Sequence, residues 1–258
     1  MFKTAKKIYS LIAWQFGVDL GRLLRGIVGI PRFINDLLRF RRCYTGKLAL
    51  FPCLHDWYEE GGGTRNEYFL QDLYVARKVY TSNPAKHVDI GSRIDGFVAH
   101  VASFRDIEVF DVRPITSNIP GLIFKQADLM TPLPSLVDYC DSISCLHALE
   151  HFGLGRYGDP IDPLGYAAGL ENMSTILRTG GIFYLSVPIG LERVEFNAHR
   201  VFKPQEIVRS GKDNGLRVIE FAWIGPSLTI TQSTDLEQDL NELCNHDYAL
   251  GIFTFIKQ

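Results

Sequence analysis

From Lys86 onward, short apolar runs alternate with helical stretches, and this alternation limits the possible folds more than any other feature of the sequence. The runs predict strands at 87–90, 108–112, 122–124, 142–145, 182–187, 217–223 and 252–256. Helices are predicted between several of them, at 94–104, 163–177 and 204–214, after an earlier helix at 66–80. Such alternation predicts an α/β fold with a mostly parallel seven-stranded sheet, helices on both faces and an antiparallel final strand.

The segment before this region differs from it in charge. Residues 1–47 hold ten Lys/Arg and two Asp, a net charge of +8, whereas the remainder holds 17 basic and 27 acidic residues. We therefore divide the chain into a basic helical N-terminal extension, 1–47, and an α/β domain, 48–258. In the extension, residues 8–28 carry an apolar stripe at helical spacing, Pro31 is expected to end that helix, and a second helix is predicted over 33–42.

Two interpretations fit this basic arm. The stripe can pack on the body of the protein, or residues 1–42 can form an interfacial helix in peripheral contact with an anionic membrane. Nucleic acid is not expected, because aromatic side chains are not interleaved with the basic ones as a stacking surface requires. The sequence leaves the oligomeric state open.

Composition is that of a globular protein of 258 residues, with 46% apolar and 22% charged residues. The five cysteines show no CxxC spacing, which argues against a disulfide framework and a zinc knuckle and favours a reducing, cytoplasmic compartment. No apolar run reaches the roughly 18 residues that a membrane-spanning helix needs.

Two turns at the carboxyl ends of predicted strands indicate a nucleotide-type site. In HVDIGSRIDGF (87–97), Asp89 ends a strand, Gly91 makes a tight turn, and a helix begins near Ile94. A glycine there lets the backbone approach a ligand, and the helix N-terminus offers free N–H groups. About 22 residues later, Asp111 ends the next strand, where an acidic side chain can accept hydrogen bonds from two ribose hydroxyls.

The third strand is followed by QADLM (126–130), in which Asp128 is placed to accept from an adenine amino group while Leu129 packs on the ring. The fourth strand ends near Cys145 and leads into a dense polar stretch, 147–159. A later segment, EFNAHRVF (195–202), follows the fifth strand. Because neighbouring parallel strand ends open onto one crevice, these segments are expected to share a site.

Taken together, the order DIGS, FDV, ADL, SCLHALEHF, LRTGG and AHRVF resembles class I S-adenosylmethionine-dependent methyltransferases, which have a Rossmann-like sheet. Residues 68–223 are similar in particular to the family catalogued as domain of unknown function two-six-eight, through QDL at 71–73, DIGS at 89–92, ALEHFGLGRYGD at 148–159 and NAHR at 197–200.

This resemblance implies S-adenosylmethionine as cofactor and a set of residues around it. Asp89, Gly91 and Ser92 would surround its methionine end, Asp111 with Val112 the ribose, and Asp128 with Leu129 the adenine. The backbone from Cys145 to His147 would face the sulfonium. Arg93 departs from the pattern, since it places a long cation beside the sulfonium unless it swings outward or pairs with Asp95.

The polar stretch supplies candidates for chemistry. Methyl transfer to a hydroxyl needs a proton acceptor, and a histidine suits this role because its reference pKa of about 6.5 leaves it largely neutral near pH 7. We assign His151 and His199 as candidate bases with Glu150 as orienting partner. Arg156, Tyr157, Asn197 and Arg200 are candidate substrate-binding residues. No metal is expected, although His147 and His151, with Asp159 or His199, could form a site.

The sequence thus predicts a methyltransferase acting on a carbohydrate, a glycan precursor such as those of polysaccharide biosynthesis, or another small hydroxylated acceptor. A non-catalytic methyltransferase-like scaffold or binding protein is the alternative. A nicotinamide-dependent oxidoreductase is disfavoured because GxGxxG is missing.

Overall fold

The computed structural model of the chain describes residues 9, 12, 13, 15–17, 19–59 and 61–258. The chain divides into two compact units, residues 1–63 and 64–258. The sequence analysis places the boundary earlier, after Lys47. Residues between 47 and 63 fall in the first unit because Leu54 packs against its helix.

Helix α1 (Leu20–Cys43) is the main element of the first unit. It begins at Asp19, whose carboxylate accepts a hydrogen bond from the Arg22 amide at 3.1 Å, and this capping satisfies a free N–H of the first turn. The predicted break at Pro31 is wrong: the helix continues through it. Proline removes one backbone hydrogen bond from a helix without necessarily ending it. Part of the predicted helix over 8–28 lies outside the described residues.

Residues 64–258 contain ten strands: β1 (His87–Ile90), β2 (Ile107–Asp111), β3 (Leu122–Gln126), β4 (Cys140–Leu146), β5 (Leu177–Ile189), β6 (Arg193–Glu195), β7 (His199–Val201), β8 (Leu216–Ile224), β9 (Ile230–Gln232) and β10 (Ala249–Lys257). Eight form one sheet in the order β3-β2-β1-β4-β5-β10-β8-β9, and β6 and β7 form a separate hairpin. Strands β1 to β5 are parallel, while β10 runs antiparallel between β5 and β8.

Helices cover both faces of this sheet: α2 (Glu67–Ser82), α3 (Ala99–Ala102), α4 (Gly165–Ile176), α5 (Pro204–Asp213) and α6 (Leu236–Leu243). Side chains of α2 and α3 pack in one hydrophobic cluster, exemplified by Val79 and Val101. Side chains of α4, α5 and α6 pack in the other, exemplified by Met173 and Ile207. The central strand β1 is buried along its whole length, as expected for a parallel sheet covered on both sides.

The predicted fold class and all seven predicted strands are confirmed. The sheet has eight strands rather than seven, because β9 adds to its edge beside β8. The helix predicted at 94–104 is shorter and starts as a π turn, Ile94–Val98. Gly96 in this turn lies so close to α2 that a Cβ would stand 2.3 Å from Asp72 Oδ2.

Across the described residues, no helix is both long and apolar enough to cross a bilayer.

Candidate active site

The turn after β1 holds its shape through a buried carboxylate. Gly91 has φ +67°, a left-handed conformation that glycine adopts without strain. Asp89 is fully buried and accepts hydrogen bonds from the Ser92 amide at 3.0 Å, Ser92 Oγ at 2.6 Å and Ser144 Oγ at 2.6 Å. Burial raises the pKa of Asp89 to about 7, against the opposing effect of these hydrogen bonds. Asp89 therefore fixes the conformation of the turn after β1, and any effect it has on a ligand is through that turn.

Arg93, the departure noted in the sequence, pairs with an aspartate of its own segment. Its guanidinium pairs with Asp95 through two contacts, 3.1 Å from Nε to Oδ1 and 2.7 Å from Nη2 to Oδ2. Both side chains are more than half exposed. The cation is thus held by a carboxylate of its own segment, and it also lies 5.5 Å from the ring centre of Tyr68.

At the end of β2, Asp111 is paired with a nearby arginine. Asp111 Oδ1 accepts from the Arg113 amide at 2.8 Å and from Arg113 Nε at 3.0 Å, and Oδ2 accepts from Arg113 Nη2 at 2.6 Å. The guanidinium of Arg113 lies 4.3 Å from the ring centre of Tyr157, a cation–π distance. Arg113 therefore connects Asp111, which is predicted to bind the ribose, with Tyr157, which is predicted to bind the substrate.

The predicted adenine segment follows β3. Asp128 is partly buried, and its Oδ1 accepts from the Met130 amide at 2.9 Å, while Leu129 is buried in the core. After β4, Cys145 is fully buried and the Leu146 amide donates to Ser92 Oγ at 3.2 Å. These contacts tie the turns after β1 and β4 to one another at the carboxyl edge of the sheet.

Beyond β4, a buried ion pair forms the floor of the site. His147 has φ +52°, and its Nδ1 lies 3.0 Å from Glu150 Oε1. Burial by itself lowers the pKa of His147, but the hydrogen bond and the charges of Glu150 and Glu67 outweigh it, so the pKa is raised. Burial likewise opposes ionisation of Glu150, yet the hydrogen bond with His147 keeps the pKa of Glu150 below its usual value. Each partner thus favours the charged form of the other.

Three residues that the sequence analysis did not assign to the site surround this pair. Tyr68 stacks on His147 with ring centres 4.3 Å apart, and Glu67 Oε1 lies 3.6 Å from His147 Nε2. Tyr248 donates to the same Glu67 oxygen at 2.6 Å. Glu67 and Tyr68 start helix α2, and Tyr248 precedes β10, so only the fold brings them to the ends of β4 and β5. Neither helical nor strand periodicity carries a signal for such a contact.

His151 has a defined tautomer. Its Nδ1 lies 2.7 Å from the carbonyl oxygen of Ala198, which can only accept, so Nδ1 carries the proton. In the neutral ring the lone pair is then on Nε2, which lies 3.8 Å from Glu150 Oε1, beyond hydrogen-bonding distance. Burial lowers the pKa of His151, so the ring is neutral near pH 7. The group that orients the His151 ring is thus the carbonyl of Ala198, whereas the sequence predicted Glu150 for this role.

His199, the other predicted base, is half-buried on β7. Its ring lies edge-on to Tyr248 with centres 6.5 Å apart. Burial lowers the pKa of His199 below its usual value. It therefore lies on the same side of the site as Tyr248.

The predicted substrate residues separate into two groups. Arg156 donates to the Ala198 carbonyl at 2.9 Å, and Tyr157 lies edge-on to His151 at 5.5 Å, so both border the site. Asn197 is exposed in the turn between β6 and β7. Arg200, however, is buried and donates to the carbonyls of Glu150, Phe152 and Pro163, so its guanidinium anchors the loop, and its role in substrate binding stays a prediction.

The carboxylate of Asp159, a candidate ligand of the alternative metal site, is bound by the backbone of its own loop. It accepts hydrogen bonds from the amides of Gly153, Gly155 and Tyr157. In the described part of the chain, the one set of three potential ligands whose atoms lie within 4.8 Å of one another is His55, Asp56 and Glu59, in the first unit. Exposed acidic groups of this kind are common without a metal.

The carboxyl edge fits an adenosyl cofactor in its chemistry. Gly91 supplies a turn in which a side chain would be strained, and a Cβ there would lie 3.1 Å from Ala148 Cβ. Asp111 supplies a carboxylate at the position suited to ribose hydroxyls. Asp128 and Leu129 follow the next strand along the edge, where the adenine is expected. These features favour a nucleoside ligand.

Comparison with known proteins agrees with this geometry. Residues 123–223 match the family described as "Caenorhabditis protein of unknown function, DUF268", as the sequence resemblance predicts. No curated protein matches the chain.

Solved structures resemble it at low identity. The 4+2 cyclase SpnF is 15% identical, with 73% of this chain and 80% of that chain covered at a TM-score of 0.53. The 1,6-didemethyltoxoflavin-N1-methyltransferase of Burkholderia thailandensis, solved with bound 1,6-didemethyltoxoflavin and S-adenosylhomocysteine, is 12% identical. The match covers 74% of this chain and 79% of that chain at a TM-score of 0.51. A protein of Galdieria sulphuraria described as a sarcosine dimethylglycine methyltransferase is 12% identical. The match covers 73% of this chain and 86% of that chain at a TM-score of 0.52. The chain therefore shares the fold of these solved structures, and its residues 123–223 are similar to the DUF268 family.

Proposed function

We propose that the chain methylates a hydroxyl group of a small acceptor, with S-adenosylmethionine as methyl donor and His151 as general base. The observation that carries this proposal is the state of His151. The Ala198 carbonyl holds the proton on Nδ1, and burial keeps the ring neutral, so Nε2 has a free lone pair at the carboxyl end of β4. A neutral, oriented imidazole is what proton removal from a hydroxyl requires.

When bound, S-adenosylmethionine supplies an electrophilic methyl group, and the protein's task is to align the acceptor and remove its proton. His151 Nε2 would take the hydroxyl proton as the acceptor oxygen forms its bond to the methyl carbon. The imidazolium that results lies 3.8 Å from the carboxylate of Glu150, whose negative charge stabilises it. Glu150 thus contributes to catalysis through charge, and Ala198 through orientation.

Two polar atoms support a hydroxylated acceptor. His147 Nε2 and Glu150 Oε2 are buried and have no hydrogen-bond partner among the described residues. Buried polar groups are normally paired, and an unpaired one costs about 1–3 kcal/mol. A ligand rich in hydroxyl groups can donate to the carboxylate and accept from the imidazolium. Together with the border formed by Arg156 and Tyr157, this favours a carbohydrate or glycan precursor.

A non-catalytic binding protein is the second candidate, and one contact favours it. Arg113 occupies both oxygens of Asp111, which the ribose would need. The fold alone does not decide between the two, because it also serves the cyclase named above.

Turnover of single histidine variants tests the proposal. Methyl transfer to a panel of sugars and nucleotide-linked sugars is measured for the wild type, His151→Ala and His199→Ala, with affinity for S-adenosylhomocysteine measured alongside. His151→Ala should lower turnover by roughly 10²–10⁴-fold and leave cofactor affinity nearly unchanged. His246→Ala is the matched control, since its exposed side chain pairs only with Glu242 among the described residues.

The pH dependence gives an independent test. Because the base must be deprotonated and burial lowers the pKa of His151, turnover should rise with pH along a limb that lies below pH 6.5 and be flat above it. Full turnover in His151→Ala, with the limb unchanged, would remove His151 from the mechanism. Loss of the limb in His199→Ala instead would assign the base to His199.

A further inference from the structure

Helix α1 carries a partly exposed apolar face along its length. Eight large side chains share this face, and their exposed fractions are 42–64%. They are Leu20, Leu23, Leu24, Ile27, Val28, Ile30, Ile34 and Leu38, here called the apolar band. At about 100° per residue they fall within an arc of roughly 160°. Such a face normally packs against something apolar.

Packing inside the first unit uses the other side of the helix. Gly29, about 180° from Leu20 on the wheel, is the buried residue of α1, and a Cβ on it would lie 2.2 Å from the Leu54 carbonyl oxygen. The segment that includes Leu54 is therefore seated against the glycine side. At the opposite edge of the wheel, Leu23, Ile27 and Ile30 of the apolar band line a cavity with Pro52 and Leu54 of this segment.

Arginines border the band. Helix α1 holds six of them, Arg22, Arg25, Arg32, Arg39, Arg41 and Arg42, and a single acidic residue, Asp36. Arg25, Arg32 and Arg39 recur every seven residues and so line one edge of the band. Arg39, Arg41 and Arg42 make no ion pair or hydrogen bond with any residue that the structure describes.

An aromatic side chain lies at the same edge. The guanidinium of Arg32 stands 4.4 Å from the ring centre of Trp57, which is 70% exposed. Indole rings are favoured where an apolar phase meets water, because one end of the ring is apolar and the N–H is polar.

The apolar band and the arginines together indicate which kind of partner binds α1. In a symmetric contact with a second copy, the arginines of one helix would meet those of the other, and like charges repel. A nucleic acid would neutralise the arginines but would leave the band in water. An anionic lipid surface satisfies both, since the band enters the acyl region and long arginine side chains reach the phosphates.

We propose that α1 is an interfacial helix that binds the chain to an anionic lipid surface, with the apolar band inserted and the arginines on the lipid phosphates. This proposal is independent of the methyl-transfer chemistry. The helix would lie in the plane of the membrane surface, as amphipathic helices with a basic polar face do.

Vesicle co-sedimentation of the full chain tests it. The wild type should pellet with phosphatidylcholine vesicles that contain phosphatidylserine and stay in solution with pure phosphatidylcholine. Binding should fall as salt is added, because salt screens the arginines. Replacing Arg25, Arg32 and Arg39 by Gln should lower the partition coefficient by roughly fivefold per arginine. Leu24→Glu with Ile27→Glu should abolish pelleting.

Val137→Glu is the control for the glutamate substitutions, since it places the same charge on another exposed apolar residue, outside α1. Circular dichroism should show equal helix content in all variants. The proposal fails if the wild type ignores anionic vesicles, if it binds neutral vesicles equally well, or if Leu24→Glu with Ile27→Glu still binds. A dimer in solution that those glutamates dissociate, without vesicle binding, would assign the band to a second copy.

Discussion

At the scale of single residues, the contact between Asp111 and Arg113 bears most on cofactor binding. Both carboxylate oxygens of Asp111 accept hydrogen bonds from the Arg113 side chain. Ribose hydroxyls would need the same oxygens, so a bound cofactor has to displace or share the guanidinium. The Asp111 side chain is largely buried, while that of Arg113 is 46% exposed, which leaves the arginine room to move.

This contact predicts opposite effects of two substitutions. Asp111→Ala should weaken binding of S-adenosylhomocysteine by about 1–3 kcal/mol, because charge-assisted hydrogen bonds to the ribose are lost. Arg113→Ala should strengthen binding several-fold, because it removes the competing guanidinium. Calorimetric titration of both variants gives the two affinities. Weaker binding in Arg113→Ala would mean that the arginine contacts the cofactor, and an unchanged affinity in Asp111→Ala would exclude Asp111 from the site.

Single residues also show where sequence reasoning reaches its limit. Asp111 could be found because it ends a strand at a fixed distance from a glycine turn. The tautomer of His151 could not, because its partner Ala198 is 47 residues away and contributes only a carbonyl. Main-chain acceptors leave no trace in residue identity. The same holds for Arg200, whose three carbonyl partners turn an apparent substrate residue into an anchor.

At the scale of elements, β1 and β4 share a chain of buried polar side chains beneath the site. His87 Nδ1 lies 2.8 Å from Ser142 Oγ, and His87 Nε2 lies 3.1 Å from Ser144 Oγ. Ser144 in turn donates to Asp89 at 2.6 Å. Burial lowers the pKa of His87 to about 3 and raises that of Asp89 to about 7. The two groups therefore respond to pH in opposite ways.

The pH dependence of stability should reveal this opposition. His87 is neutral in the fold, so the unfolded chain takes up its proton first and stability falls as pH drops from 6.5 to about 3. Asp89 keeps its proton in the fold, so stability falls as pH rises from about 4 to about 7. In Asp89→Asn, only the loss of stability at low pH caused by His87 should remain. In His87→Gln, only the loss of stability with rising pH caused by Asp89 should remain.

Urea unfolding of both variants at pH 4.5, 5.5 and 6.5 measures the free energies. Other titrating groups contribute to both variants, so the difference between their slopes isolates this pair. The free energy of unfolding of Asp89→Asn should rise with pH relative to that of His87→Gln. Parallel curves would show that the two groups do not titrate differently in the folded and unfolded states.

The elements themselves were predictable to different degrees. Seven strands and the alternation with helices followed from periodicity, because buried parallel strands are continuous apolar runs. The hairpin of β6 and β7 and the edge strand β9 did not, because each strand has three residues. Runs that short are not distinguishable from loops by alternation. Pro31 was expected to end a helix that in fact continues through it.

At the scale of the whole molecule, the account rests on two units with different chemistry. The basic residues and the exposed apolar band of α1 belong to the first unit, and the crevice with His151 belongs to the second. The charge of the sequence alone places a boundary after Lys47, whereas the compact units meet after Gly63. Which atoms would bind an acceptor was not predictable, because Glu67 and Tyr68 begin α2, Tyr248 precedes β10, and only the fold brings them together.

Calorimetric titration of the full chain with S-adenosylhomocysteine tests the central claim most directly, because every proposed step depends on cofactor binding at the carboxyl edge. We expect saturable binding with one site per chain. Gly91→Val should abolish it, since valine is strained at φ +67° and its Cβ would crowd Ala148. Thermal unfolding of that variant checks that the fold survives. A folded wild-type chain that binds neither S-adenosylhomocysteine nor S-adenosylmethionine would contradict the account.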